Sequence, residues 1–234
     1  MNEAISVPNL LDLTQTIAAR LFDDCSYPWE VLPKIAEFIR SIGPTLPADE
    51  FEQIGPEIWA AKSANIAATA SLSGPLIIGR NAEIRHCAFI RGSAIIGDHT
   101  VVGNSTELKN VILFNQVQVP HYNYVGDSIL GYKAHMGAGS ITSNVKSDRS
   151  LVSLRFSGEA IETGLKKFGA ILGDEVEVGC NSVLNPGTIV GRGTNIYPLA
   201  MVRGVVPEKC IYKSRSEIVR KYEFTVMDGQ GVTG

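Results

Sequence analysis

The groups best suited to chemistry in this sequence lie in one short stretch, VPHYNYVGD, residues 119–127. It holds His121 together with Tyr122 and Tyr124. An imidazole at its ordinary pKa of about 6.5 exchanges a proton near neutral pH. On both sides of the stretch an aliphatic residue returns every six positions, usually beside a small one, and such a repeat has no need of rings. The stretch is therefore either an irregularity that a scaffold tolerates or the place where the scaffold reacts. A second unusual segment follows at 142–169, with Lys146, Arg149, Arg155, Lys166 and Lys167. These cations suit a phosphorylated ligand; in isolation a solvated, charged excursion is the commoner reading, and only their proximity to the first stretch brings the two level.

The elements that must position these residues come from the repeat. Counting in sixes from Ile66 gives Leu72, Ile78, Ile84, Ile90, Ile96, Val102 and Leu108. One five-residue step leads to Leu113, Val119 and Val125, and another to Leu130 and Met136. The rhythm resumes at Leu172 and runs through Val178, Leu184, Val190, Ile196 and Val202. A period of six fits neither a helix nor a long alternating strand. It fits a solenoid with a triangular coil: a short strand on each side, a tight turn at each corner, and one inward aliphatic per side. Glycine follows many of these aliphatics, as at Gly79, Gly97 and Gly103, where it is expected to permit sharp corners. A β-sandwich with repeated glycine turns would alternate more strictly and vary more in spacing. No coil buries its own apolar face, so both ends need covering.

Residues 10–22 (LLDLTQTIAARLF) and 29–42 (WEVLPKIAEFIRSI) carry apolar residues at helical spacing and predict two short amphipathic helices. They are expected to cap the first coil or to pack on another subunit. The repeat breaks after Ile141, and SLVSLRF followed by Ser157-Gly158 predicts a hairpin projecting from the solenoid. Near the C-terminus SRSEIVRKYEF reads as charged and helical, and MDGQGVTG as a disordered end. The chain thus divides into a helical cap or linker at 1–55, a β-helix at 56–207 with its insertion at 142–170, and a tail at 208–234. A formal charge of −3 gives no reason to expect nucleic acid or an anionic membrane as partner. Four separated cysteines without a CxxC pair, and no apolar signal region, predict a cytoplasmic protein with reduced thiols and no metal site.

The segments AFIRGSAIIG, GNSTELKNV, HYNYVGDSILG, GAGSITSN and TGLKKFGAILGDEVEVGCNSVLNPG carry a more specific signal than the rhythm. Through them residues 76–206 resemble the acetyltransferase domain of bifunctional sugar-1-phosphate nucleotidylyltransferase/acetyltransferases, which make UDP-N-acetylglucosamine on a left-handed β-helix. The last segment is especially similar to archaeal-type members. YPWEVL is similar to the linker between the two domains of that family, whereas the nucleotidylyltransferase domain with its GxGTRM-like loop has no counterpart here. The resemblance implies transfer of acetyl from acetyl-CoA, as co-substrate, to the amine of an amino-sugar 1-phosphate. It also implies a homotrimer whose sites borrow groups from neighbouring subunits.

The same resemblance assigns roles by position. His121 falls where the family has its catalytic base, and Glu107 where it has the acid that pairs with that histidine. Arg91 and Lys109 match phosphate-binding positions, and Tyr124 a sugar-contacting tyrosine. Asn144 matches an asparagine near the acceptor amine, and Lys167 a lysine on the inserted loop. Ala138, with backbone N–H groups near Gly137, is placed at the thioester and pantetheine arm, and Cys180 and Pro198 along the CoA slot. One departure concerns the acceptor: where the family has asparagine before IGAG, this chain has His135 before Met136-Gly137-Ala138-Gly139. Two other readings stand beside this one. The chain is alternatively a non-catalytic ligand-binding or regulatory subunit of a separate nucleotidylyltransferase, or it acylates another amine, such as an amino sugar already joined to a nucleotide.

Overall fold

The computed structural model describes residues 3–221. The chain winds as a left-handed parallel β-helix of about nine turns. Its three faces follow the sixfold rhythm. The first face stacks Ile58–Ala61, Leu76–Ile78, Ala94–Ile96, the end of Glu107–Leu113, the end of Tyr124–Leu130, Ala170–Leu172, Thr188–Val190 and Val205–Val206. The second runs from Asn65–Ile66 through Glu83–Ile84, Val101–Asn104, Gln118–His121, His135–Met136, Glu177–Val178 and Asn195–Ile196 to Cys210–Ser214. The third carries Ser71–Leu72, Phe89–Ile90, Glu107–Leu108, Tyr124–Val125, Ile141–Thr142, Val183–Leu184 and Met201–Val202. Parallel stacking continues to Cys210–Ser214, beyond the boundary expected at 207.

The two five-residue steps have a structural counterpart. Glu107–Leu113 and Tyr124–Leu130 are seven-residue strands that pass from the third face to the first without a full corner. Each makes the bend with one residue in the left-handed region, Asn110 (φ 54°) and Asp127 (φ 47°). Both residue types tolerate that region better than most.

The glycines do not act as the rhythm suggested. Other corners use left-handed residues with side chains, including Asn81, Cys87, His99, Tyr122, Lys133 and Asn181. The repeat glycines instead allow close stacking. A Cβ on Gly97 would lie 2.5 Å from the backbone carbon of Phe114, and one on Gly103 would fall inside the Pro120 carbonyl. Gly103→Ala is expected to cost about 3 kcal/mol, the upper end for overpacking, because the obstacle is backbone. Denaturant unfolding checks this; an unchanged midpoint would mean the coils separate easily.

The first face is buried on both sides. Ile78, Ile96, Leu113, Leu130, Leu172 and Val190 are buried, and so are their neighbours Ile77, Ile95, Ile112, Ile129, Ile171 and Ile189. That second ladder is covered by the N-terminal segment, which lies along the solenoid and not over its first coil. Helix Ile35–Ile42 packs on Leu76–Ile78, Ala94–Ile96 and Glu107–Leu113, and the 3-10 segment Pro28–Lys34 packs on Tyr124–Leu130. Phe22 meets Phe114 edge-on, and Trp29 lies against Phe168 while stacking on Tyr27.

The helix expected over residues 10–22 is broken into a turn of α-helix at Val7–Leu10 and 3-10 turns at Leu13–Gln15 and Ala19–Phe22. Its backbone bonds are given to the solenoid. Asp174 N–H donates to Leu10 O at 3.0 Å, and Asn115 N–H donates to Gln15 O at 2.9 Å. Asp12 N–H donates to the buried Asp174 carboxylate at 2.8 Å. Local side chains also compete with the helix, since Asp12 Oδ1 accepts from Thr14 N–H at 3.0 Å.

One edge of each large sheet is closed by an antiparallel strand. Phe51–Gly55 pairs with Ile58–Ala61, and Glu217–Arg220 pairs with Cys210–Ser214. Over the described part of SRSEIVRKYEF, up to Lys221, the second pair replaces the expected helix, because Ile218 and Val219 satisfy the last coil's open edge as a strand. The final YEF of that segment and MDGQGVTG lie outside the described residues. The insertion does form the expected hairpin, Ser153–Phe156 with Glu159–Glu162, turning at Ser157 and Gly158, both at positive φ. It does not project freely. Val152 and Leu154 are buried over Gly187, and Phe156 shares a cleft with Leu10, Ile189 and Val205.

Candidate functional site

Two features of the fold bring the expected residues together. One is the corner between the second and third faces. Tyr122 N–H donates to Asn104 O, Gly139 N–H to His121 O, Asn181 N–H to Ala138 O and Leu199 N–H to Cys180 O. His121, Ala138, Cys180 and Pro198 therefore form one column along the solenoid edge, one residue per coil. At about 4.8 Å per coil the column is roughly 14 Å long. His121, Cys180 and Pro198 are exposed, and Ala138 is partly so. Beside the column Tyr122, Tyr197, Leu199 and Met201 present apolar surface to solvent.

The other feature is the third face, where Glu107 and Tyr124 are register neighbours. Asp127 is the hub. Its carboxylate, buried at the bend of Tyr124–Leu130, accepts from Asn110 Nδ2 at 3.0 Å and Asn144 Nδ2 at 2.5 Å. Lys109 Nζ lies 3.4 Å from Asp127 Oδ2. A carboxylate only accepts, so the Asn144 amide has one orientation: N–H groups toward Asp127 and toward Tyr124 Oη (3.2 Å), which leaves Oδ1 as the side that makes no hydrogen bond among the described residues. Burial, with the Asp127 charge adding, pushes the Tyr124 phenol above its ordinary pKa. It stays a neutral phenol at neutral pH, and its O–H proton remains available to a ligand. Phe168 N–H donates to Asn144 O at 2.9 Å, which ties the returning insertion to this cluster and sets exposed Lys167 next to it.

Two expected pairings are arranged differently. Glu107 does not hold His121. Its carboxylate accepts from Arg91 Nη1 at 2.8 Å, because the two side chains rise from adjacent strands of one face. Among the described residues the His121 ring has no hydrogen-bond partner. His135 lies on the second face, away from the Tyr124–Asn144 cluster, with Nδ1 2.7 Å from Glu177 Oε2.

Sequence comparison adds the family. Residues 72–219 match the family described as GMPPB C-terminal domain. The match covers more than half of the 234 residues. The chain belongs to this family. Among curated relatives, the bifunctional protein GlmU of Methanococcus vannielii is 31% identical over 219 residues, covering 86% of this chain and 49% of that protein. A bifunctional sugar-1-phosphate nucleotidylyltransferase/acetyltransferase of Sulfurisphaera tokodaii is 32% identical over 163 residues, covering 62% of this chain and 41% of that protein. The chain thus spans about half the length of the curated relatives it matches. A solved acetyltransferase domain of PglB from Neisseria gonorrhoeae, in complex with acetyl coenzyme A, aligns with a TM-score of 0.35 and 14% identity, over 79% of this chain and 66% of that one.

In this GMPPB C-terminal domain the matched region holds the Asp127 hub and the corner column. Three participants were not read from the sequence as site residues: Asp127, Asn110 and Glu177. Asn110 and Asp127 had a visible signal, since each marks one of the two five-residue steps. Glu177 had none, because 42 residues separate it from His135 across the insertion.

Proposed function

We propose that the chain is an acetyl-CoA-dependent N-acetyltransferase acting on an amino-sugar 1-phosphate. The observation that carries this reading is the Asp127-anchored Asn144, whose amide N–H groups are spent on Asp127 and Tyr124 while its Oδ1 is left unbonded, in a cluster that also holds the Arg91 and Lys109 cations. That carbonyl accepts from the acceptor amine, while Tyr124 donates to a sugar oxygen. Arg91 and Lys109 grip the phosphate, Arg91 in a bidentate manner. Arg91–Glu107 is an exposed pair, and such pairs contribute about 0–1 kcal/mol. A phosphate dianion therefore draws Arg91 away easily and releases Glu107 to orient the His121 imidazole.

The amine nitrogen then attacks the thioester carbonyl. A C–N bond forms and the C–S bond breaks. Imidazole takes the proton from nitrogen and returns one to the departing thiolate, so that amine and acetyl-CoA give acetamide and CoA. Backbone N–H groups near Ala138 face the thioester oxygen. Cys180 and Pro198 line the slot for the pantetheine arm, and Lys167 approaches the phosphate from the insertion. A homotrimer, a separate nucleotidylyltransferase as partner and a cytoplasmic location belong to the same reading. Among the described residues no helix is long and apolar enough to cross a membrane.

The test is CoA release from acetyl-CoA with glucosamine-1-phosphate and galactosamine-1-phosphate in parallel, using His121→Ala beside the wild type. Acceptor-dependent release, falling by about 10²–10⁴ in the variant, is expected for loss of a general base. A folded wild type that releases no CoA with either sugar phosphate would overturn the reading. The unpartnered His121 ring favours one alternative, a ligand-binding subunit without catalysis. Saturable sugar-phosphate binding without CoA consumption would support that alternative.

A further inference from the structure

Asn123 is buried at the corner two residues after His121, and its side chain bonds to two coils at once. Its Oδ1 accepts from the His121 N–H at 3.1 Å. Its Nδ2 lies 2.8 Å from Gly137 O, 3.1 Å from Ser140 O and 3.2 Å from Ser140 Oγ, all on the next coil. Gly139 N–H returns a bond to His121 O at 3.0 Å. Stacking alone does not call for an amide here. The same corner position holds Thr106, Ser140 and Ser182 on three other coils. There a hydroxyl suffices to join coils: Thr106 Oγ1 donates to Val119 O and Ser182 Oγ to Tyr197 O, both at 3.0 Å. The amide in this row falls on the coil that carries His121.

The bonds to Gly137 O also fix what lies across the peptide from it. That oxygen accepts from Asn123 Nδ2, from Ser140 Oγ at 2.7 Å and from Ser140 N–H at 3.1 Å. Asn123 and Ser140 are buried, so the carbonyl points into the corner. The Gly137–Ala138 peptide is trans, and in a trans peptide C=O and N–H point in opposite directions. Ala138 N–H therefore faces outward, where it makes no hydrogen bond among the described residues. Donors on the carbonyl polarise the shared peptide and strengthen that N–H as a donor. We infer that Asn123 is a positioning residue for acyl transfer, holding the proposed base and the proposed oxyanion donor in fixed relation through one side chain. The inference rests on the acetyltransferase reading and deepens it. His121 takes the amine proton, Ala138 N–H faces the thioester oxygen, and Asn123 sets their spacing without touching either substrate.

The experiment combines amide exchange with kinetics on the full chain. Asn123→Ser keeps a hydroxyl like that of Ser182 and loses the acceptor for His121 N–H. Asn123→Thr, which copies Thr106, takes its place if the serine variant does not fold. Exchange of the His121 amide, followed by NMR, is expected to accelerate by about tenfold once its partner is gone. In the CoA-release assay kcat is expected to fall about 100-fold, as for a displacement of about 1 Å, while KM for acetyl-CoA stays unchanged. Ser182→Ala removes the corresponding bond between two other coils. Its thermal midpoint should fall as far as that of the Asn123 variant, by about 2–4 °C, with kcat unchanged. Unaltered kcat in a folded Asn123 variant, unchanged exchange at His121, or an equal loss of kcat in Ser182→Ala would overturn the inference. A wild type that transfers acetyl to no amine overturns the acetyltransferase reading, and the inference falls with it. Both kinetic outcomes require an active wild type, so the two failures are told apart.

Discussion

Trp29→Ala is expected to be the most destabilising single substitution outside the solenoid, costing about 3–5 kcal/mol. The indole is 2% exposed, stacked on Tyr27 with ring centres 4.5 Å apart, and packed against Phe168 at 5.8 Å. It fastens the N-terminal segment both to the first face and to the returning end of the insertion. For a domain of this size each kcal/mol shifts the midpoint by about 2–4 °C, so a fall on the order of 10 °C should appear in thermal scans at fixed protein concentration. The outer isoleucine ladder would then be uncovered and bind a hydrophobic dye. A shift under about 2 °C would mean that the polar anchors at Leu10, Asp12 and Gln15 suffice to hold the segment. Ile39→Ala, with a fully buried side chain on the same layer, should follow the same direction with about 2–5 kcal/mol.

That layer shows what was legible in the sequence. The inward aliphatics were read correctly because they recur at a fixed interval, and geometry demands that interval. The outward ladder was visible as triplets such as Leu76-Ile77-Ile78 and Ala94-Ile95-Ile96, which are apolar on both sides of a strand. Runs of that kind signal a face buried twice. Its cover was expected at the end of the solenoid, because end-capping is the general need of a repeat. The triplets assign it to the side. The broken helix at 10–22 has a similar origin: helical spacing was present, but Asp174 and Asn115 offered better partners for its backbone. Tertiary hydrogen bonds outweighed a propensity of a few tenths of a kcal/mol per residue.

Which candidate residues come together was legible in the sequence, and their side-chain pairings were less so. Tyr124 and Asn144 meet, and His121, Ala138, Cys180 and Pro198 align, because spacing in a solenoid translates directly into stacking. Side-chain partners do not follow from spacing. Glu107 chose Arg91 from the preceding coil, and His135 chose Glu177 from across the insertion.

Asp127→Asn is the substitution expected to separate organisation of the site from stability of the fold. Asparagine tolerates the left-handed bend about as well as aspartate, so the backbone at φ 47° is not strained. The side-chain chemistry changes sharply. The carboxylate now accepts from Asn110, from Asn144 and from the Lys109 ammonium. An asparagine there has one acceptor oxygen, and its amide hydrogens would confront the donors of Asn110 or Asn144. Asn144 must turn or shift, and its Oδ1 leaves the place proposed for the acceptor amine. A displacement of about 1 Å in such a positioning group lowers turnover about 100-fold. The expected signature is therefore a large fall in kcat for CoA release together with a thermal midpoint only a few degrees lower. Asp127→Ala should lose the same activity and more stability, because a side chain without a local hydrogen bond then occupies the left-handed region, at about 1–2 kcal/mol. Wild-type turnover in Asp127→Asn would show that the hub is structural and that Asn144 finds its orientation from Tyr124 alone.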